Sequence, residues 1–224
     1  HAAPELISDT VEALSKAKKP VIITGGGILW SDAADELREF VDKAEIPFYT
    51  TPQGRGVIPE DHPLSYMTVR SAAFREADLI MIIGTRMNYI IGHAAPPRFN
   101  KDATIIRIDI DEDEISTSPR KIDIGIVGDA KAVLSQINSR LDGAVNKDSF
   151  LEWRNRLSDE EASKRSRPGG NSVSNAVPIH PLRLCEEVKN FMDRDAILVV
   201  DGQEILNYGR QSMPTFAPGH RLNS

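Results

Sequence analysis

The 224-residue sequence predicts an α/β protein: a parallel sheet with helices covering both faces. Three observations carry this. Strand and helix patterns alternate from residue 4 to residue 141, the order in which crossover helices join neighbouring parallel strands. The strand runs are apolar almost throughout, which requires both sheet faces to be buried. Most then stop at glycine, threonine or aspartate, at the carboxyl edge where open sheets bind ligands.

Residues 4–17 read as an opening helix. The first strand is 21–24 (VIIT), followed by Gly25, Gly26 and Gly27. A helix over 32–44 places Leu37, Phe40, Val41 and Ala44 on one face, with Ser31 or Asp32 as its cap. Residues 46–50 form the second strand, and the TPQGRG loop ends it, because its proline and glycines break regular structure. A short helix over 69–76 precedes the strand at 77–83 (ADLIMII). The fourth strand is 103–110 (ATIIRIDI) and the fifth, shorter one is 124–127. A helix over 130–141 buries Val133, Leu134, Ile137 and Leu141. From Asp142 the pattern changes. A short amphipathic helix over 150–156 leads into 158–177, whose polar SKRSRPGGNS core reads as a connector. A helix at 181–192, a strand at 196–200 and a helix over 202–212 then open another α/β unit. The expected division is a domain at 1–145, a linker at 146–178 and the start of a second domain at 179–224. The chain opens on His1 and stops at GHRLNS, so a segment of a longer protein is expected.

Lysine and arginine number 27 against 33 acids, a net charge of -6. That balance argues against a nucleic acid or an anionic membrane held by bulk charge. One cysteine, Cys185, excludes an internal disulfide and fits a small buried hydrophobe in a reducing compartment. With no long apolar run and no signal-peptide pattern, a cytoplasmic protein with no membrane partner is expected. The five histidines are scattered, without metal-ligand spacing, and no nucleophile elbow is visible.

The strand ends carry the chemistry. Glycine alone lets a backbone turn sharply and approach a ligand closely. A helix opening at Gly25–Gly27 would aim free N–H groups and a positive dipole end at an anion; an ordinary strand-to-helix turn accounts for the same triplet. Arg86 follows the third strand, and its planar fork suits a pyrophosphate, or it is a surface arginine. Asp109 ends the fourth strand as an acceptor for ribose hydroxyls, while Asp111 either joins it or caps the DEDEIS turn. Asp129 is equally a ligand group or the N-cap of the helix after it. GGGILW lacks the GxGxxG spacing and no acid ends the second strand, which disfavours an NAD dehydrogenase.

Together, KPVIITGGG, IPFYTTPQGRGVIPEDHP, ADLIMIIGTRMN, IIRIDIDEDEI and IVGDAKAVL closely resemble the central domain of thiamine-diphosphate-dependent enzymes. That family includes acetolactate synthase, benzaldehyde lyase, oxalyl-CoA decarboxylase and 2-hydroxyacyl-CoA lyases. The continuation ILVVDGQEILNYGRQSMP resembles the start of the family's diphosphate-binding domain. The resemblance implies a Rossmann-like, six-stranded parallel central domain, a truncated second α/β domain, and a homo-oligomer, dimer or tetramer. It implies that the central domain holds FAD, ADP or the nucleotide part of CoA. Gly26 and Gly27 then face the nucleotide and Arg86 its phosphates. Asp109 takes the ribose or adenine edge, Ile110 packs on adenine, and Asp129 lies near the adenine amino group. Gly202, Gln203 and Glu204 match the stretch contacting the thiamine diphosphate tail and reaction centre, which makes Gln203 and Glu204 the catalytic candidates. Leu222, Asn223 and Ser224 approach the aminopyrimidine. The family's activating glutamate and its Mg²⁺ ligands have no counterpart here, so no metal site and no activity of this chain alone are expected. DGQE followed by NYGRQSMPTFAPGH is most similar to the acyl-CoA lyase branch, which implies an acyl-CoA cleaved to formyl-CoA and an aldehyde or ketone. Arg55, Arg86 and Arg98 suit a phosphate-rich CoA. The alternatives are an acetolactate-synthase-like carboligase holding FAD and a non-catalytic ADP-binding module.

Overall fold

The computed structural model describes residues 1–166 and 170–223. Helix α1 (Pro4–Lys16) and strand β1 (Pro20–Thr24) open the chain, followed by α2 (Gly26–Trp30), α3 (Ala34–Ala44) and β2 (Phe48–Thr50). Next come α4 (Arg70–Glu76), β3 (Leu79–Ile83), β4 (Thr104–Asp109), α5 (Glu112–Ser116), β5 (Ile124–Val127) and α6 (Ala130–Leu141). Beyond them lie α7 (Leu151–Arg165), α8 (Pro181–Phe191), β6 (Leu198–Val200), α9 (Gln203–Ser212) and β7 (Arg221–Asn223).

Strands β1 to β5 form one parallel sheet in the order β2-β1-β3-β4-β5. These are the five central strands read from the apolar runs. The sixth strand that the resemblance implied is not among the described residues of this sheet. Beyond β2 the chain carries Pro52, Pro59 and Pro63, which donate no ladder hydrogen bond, and β2 remains an edge strand.

Side chains along each strand alternate between two cores, as a period of two demands. Ile22, Met81, Ile106 and Ile108 pack with Ile7, Leu14, Leu37, Phe40, Val133 and Ile137 of α1, α3 and α6. Val21, Ile23, Ile80, Ile82 and Ile105 pack with Phe74, Phe99, Trp153 and Leu157 on the other face. Helix α7 is longer than the amphipathic pattern indicated, and it docks on the sheet. Trp153 and Leu157 are buried, the indole Nε1 donates to the Pro20 carbonyl at 3.1 Å, and Glu161 accepts from the Thr68 amide at 2.9 Å. Much of the segment expected as a connector is therefore helix, hidden because few apolar residues mark its buried side. Residues 167–169 of that segment lie outside the described residues.

Strands β6 and β7 pair in parallel, and Cys185 is buried in α8. The loop after β2 grips the chain after α9. Arg55 and Glu60, both buried, form a bidentate ion pair. Arg55 also donates to the carbonyls of Arg210 and Met213, both at 2.9 Å, while Glu60 accepts from the Thr215 amide at 3.0 Å. Arg221 adds a bond to the Met213 carbonyl at 3.0 Å, and burial pushes its guanidinium down to about 10. Among the described residues no helix is long and apolar enough to cross a membrane.

Candidate functional site

The carboxyl ends of β1, β3, β4 and β5 open into a crevice with two lobes. One, of about 430 Å³, is lined by Gly27, Trp30, Arg86, Asp109, Ile110 and Asp129 among others. The other, of about 570 Å³, is lined by Gly26, Gly27, Gln53, Arg86, Asn88 and Arg210 among others. Gly27, Trp30, Gly84, Thr85 and Arg86 border both, so the lobes adjoin at the exits of β1 and β3.

The glycines at this junction are there for different reasons. A Cβ on Gly27 would lie 2.6 Å from the Gly84 Cα, and one on Gly25 would lie 2.4 Å from the Thr85 Cβ. Gly84 sits at φ +58, a left-handed conformation that glycine adopts without strain. The exits of β1 and β3 thus touch backbone to backbone. Two of the amides expected to be free are used in that contact: Gly25 donates to Ile83 at 3.2 Å and Gly27 to Gly84 at 2.9 Å. Gly26 differs, since a Cβ there would first meet the Gln53 side chain, at 3.2 Å from its Oε1. It is the glycine with its open side on the crevice.

The capping expected of Ser31 or Asp32 does not occur. Helix α3 starts after Ala33 without a side-chain cap. Ser31 instead donates to Asp129 at 2.5 Å, and Asp32, at φ 50, pairs with Lys131 at 3.0 Å. A tertiary bond between two sheet-edge loops has displaced the local cap. Asp129 is itself the N-cap of α6, accepting from the Ala132 amide at 3.0 Å, and the Ser31 hydroxyl holds its carboxyl below the ordinary range. Both oxygens are engaged, yet each retains acceptor capacity toward the lobe it lines.

Asp109 has the opposite character. Burial pushes its carboxyl above the ordinary range, and it accepts a 3.2 Å bond from the Asp111 amide beside the Arg107 guanidinium at 3.6 Å. Arg107, fully buried on β4, makes its close pair with Glu114, and its Nε and Nη1 have no partner among the described residues. Asp111 caps α5 and also borders the first lobe. Arg86 is exposed, its Nε 3.5 Å from Glu114, and Ile110 is exposed. Arg55 and Arg98 are not on the crevice wall: Arg55 is buried in its ion pair, and Arg98 donates to the Ile90 carbonyl at 3.1 Å.

In the second segment, Gly202 lies at φ 98 just before α9, and Glu204 is exposed in its first turn. Gln203 begins the helix, but its side chain, that of Asn223, and Ser224 lie outside the described residues. Sequence reasoning missed Trp30, Asn88 and Arg210 as lining groups. The first two stand within motifs that were singled out. Arg210 reaches the crevice only because α9 packs beside the loop after β2, and no local signal marks it.

A parallel sheet with a two-lobed crevice at its carboxyl edge has its candidate site where open α/β sheets bind ligands. The chain matches the thiamine pyrophosphate enzyme central domain over residues 7–137. It belongs to that family. It is 30% identical over 226 residues to the protein named 2-hydroxyacyl-CoA lyase 1 of Mus musculus, covering 100% of this chain and 38% of the mouse protein. It is 28% identical to the oxalyl-CoA decarboxylase of Escherichia coli, over 98% of this chain and 39% of that one. To a probable acetolactate synthase of Mycobacterium bovis it is 30% identical, over 94% of this chain and 37% of that protein. The chain thus spans less than half the length of these relatives.

Proposed function

We propose that this chain supplies the nucleotide-binding part of a thiamine-diphosphate-dependent 2-hydroxyacyl-CoA lyase, which breaks a carbon–carbon bond to give formyl-CoA and an aldehyde or ketone. The observation supporting this is the crevice, where a half-buried carboxylate, an exposed guanidinium and an exposed aliphatic side chain meet at one sheet edge. Asp109 accepts from the ribose hydroxyls, Ile110 covers one face of the adenine, and Asp129 accepts from the adenine amino group. Gly26 allows the diphosphate close to the backbone, Gly27 borders it while holding the exits of β1 and β3 together, and Arg86 and Arg210 neutralise it. The acyl-CoA substrate is held by this handle while its thioester end leads to the reaction centre. We place the nucleotide unit at 1–145 with α7 docked on it, the connector at 146–178 and the thiamine-binding segment from 179.

Thiamine diphosphate, bound with Mg²⁺, supplies the electron sink for carbon–carbon cleavage. On this chain Gly202, Gln203 and Glu204 are its candidate contacts. Among the described residues no group of three metal-ligating side chains exists. These three residues alone cannot hold that cofactor, so no catalytic step is assigned to this chain. Its partners in the proposal are the remaining domains of the parent enzyme and a second copy of it.

The probable acetolactate synthase similarity supports a second reading, an FAD-holding carboligase. Calorimetric titration with ADP, CoA, FAD and NAD separates the two. The lyase reading expects micromolar ADP or CoA binding without FAD; bound, yellow FAD overturns it. In the parent enzyme, thiamine-dependent release of formyl-CoA from a 2-hydroxyacyl-CoA is the decisive assay.

A further inference from the structure

Trp30 borders both lobes of the crevice. Its side chain is 85% exposed, against 3% for Trp153. The position follows from helix geometry. Ile28, fully buried, anchors the short α2, and a residue two places on lies about 200° around the helix axis, facing away from the core.

Its mount is fixed on both sides. At the start of α2 the Gly27 amide bonds to Gly84 at 2.9 Å. Just past its end, Ser31 bonds to Asp129 and donates its own amide to Gly27 at 3.0 Å. The indole therefore projects from a backbone tied at both flanks. It takes part in no ring–ring or cation–ring pair among the described residues.

The same lobe is bordered by Ile110, 71% exposed, from the exit of β4. Two large apolar side chains from different elements thus stand exposed in one cavity whose other walls carry Asp109, Asp129 and Arg86. A flat base with a polar edge matches that mixture: its faces need apolar cover and its edge needs acceptors. An indole offers the broader of the two faces.

We propose that Trp30 is a nucleotide-binding residue, the aromatic wall on which the purine of an adenine nucleotide stacks. This rests on the reading of the crevice as a nucleotide site and adds the group that selects for a base. A ligand with phosphates but no base pairs with Arg86 and has no ring to stack on Trp30.

The test uses the intact chain with ADP and inorganic pyrophosphate as probes, following calorimetric heat and tryptophan emission together. Trp153 is buried on the opposite face of the sheet and serves as an internal constant. ADP binding should change the emission, while pyrophosphate binding should not. Trp30→Ala should weaken ADP by about tenfold or more, the scale of base–aromatic stacking, with pyrophosphate affinity and thermal melting unchanged. Trp30→Phe should recover most of the ADP affinity. ADP binding with unchanged emission, or Trp30→Ala binding ADP like the parent, overturns the role of Trp30 and leaves the nucleotide site standing. If ADP gives no heat at all, the nucleotide reading fails and this proposal with it.

Discussion

Two charged clusters sit at the same carboxyl edge of the sheet, and they differ in how fully their partners are supplied. At Arg55–Glu60, both side chains are buried, the ion pair is bidentate, and further bonds run to Arg210, Met213 and Thr215. At Arg86 and Asp109 the guanidinium is exposed beside Glu114 at 3.5 Å, and the carboxylate meets backbone amides and a cation at 3.6 Å. A buried charge must be paired and hydrogen-bonded to be tolerated. The first cluster meets that requirement within the chain and so joins two segments. The second leaves acceptor and donor capacity for something else. Saturation marks assembly, and unused capacity marks the candidate site.

The largest effect is expected where saturation is broken. Glu60→Gln leaves Arg55 buried with its ion pair lost and should cost about 3–5 kcal/mol of stability, read from urea unfolding. A stability near that of the parent would show that the cluster is not what ties the segments together. Gly27→Ala, which drives a Cβ against the Gly84 backbone at 2.6 Å, should cost about 1–3 kcal/mol by overpacking. Gly26→Ala, facing the Gln53 side chain, should leave stability alone and weaken ADP by narrowing the crevice. Equal losses at both positions would erase the distinction drawn between these glycines.

Arg86→Ala should weaken ADP by about 1.5–3 kcal/mol, as for a charge-assisted hydrogen bond, while stability stays within about 0.5 kcal/mol. An unchanged affinity removes Arg86 from the site. The smallest effect is a pH dependence at Asp109. Its folded-state pKa is raised by burial, so between the ordinary carboxylate value and the raised one the folded chain binds more protons than the unfolded chain. The stability linked to this group is present below that window and declines as pH rises through it. ADP affinity should move the opposite way, rising with pH as the ribose acceptor ionises. Asp109→Asn should flatten both profiles; affinity that still climbs through that window in the variant assigns the titration to another group.

Much of the fold was legible because it is written in consecutive residues. The apolar runs gave all five strands of the central sheet, and the residue types at their ends gave Gly26, Gly27, Arg86, Asp109 and Asp129 as crevice residues, since a strand fixes where its next residue emerges. Helix α7 was only partly legible, because its docked side mixes Trp153 and Leu157 with the buried polar Arg154 and Glu161. The cap expected from Ser31 failed because a hydroxyl can serve either its own helix or a distant carboxylate, and Asp129, 98 positions on, took it.

What the sequence determined by itself is therefore the parallel α/β sheet and the identity of the residues at its carboxyl edge, both consequences of local periodicity and local turn chemistry. The tertiary structure decided which of those residues are available. Arg55 and Arg86 look alike in sequence, each in a glycine-containing loop after a strand. Only folding brings Glu60 and a carbonyl 155 positions away onto Arg55 while leaving Arg86 in solvent. The fate of a charge depends on what surrounds it in space, and no stretch of neighbouring residues contains that information.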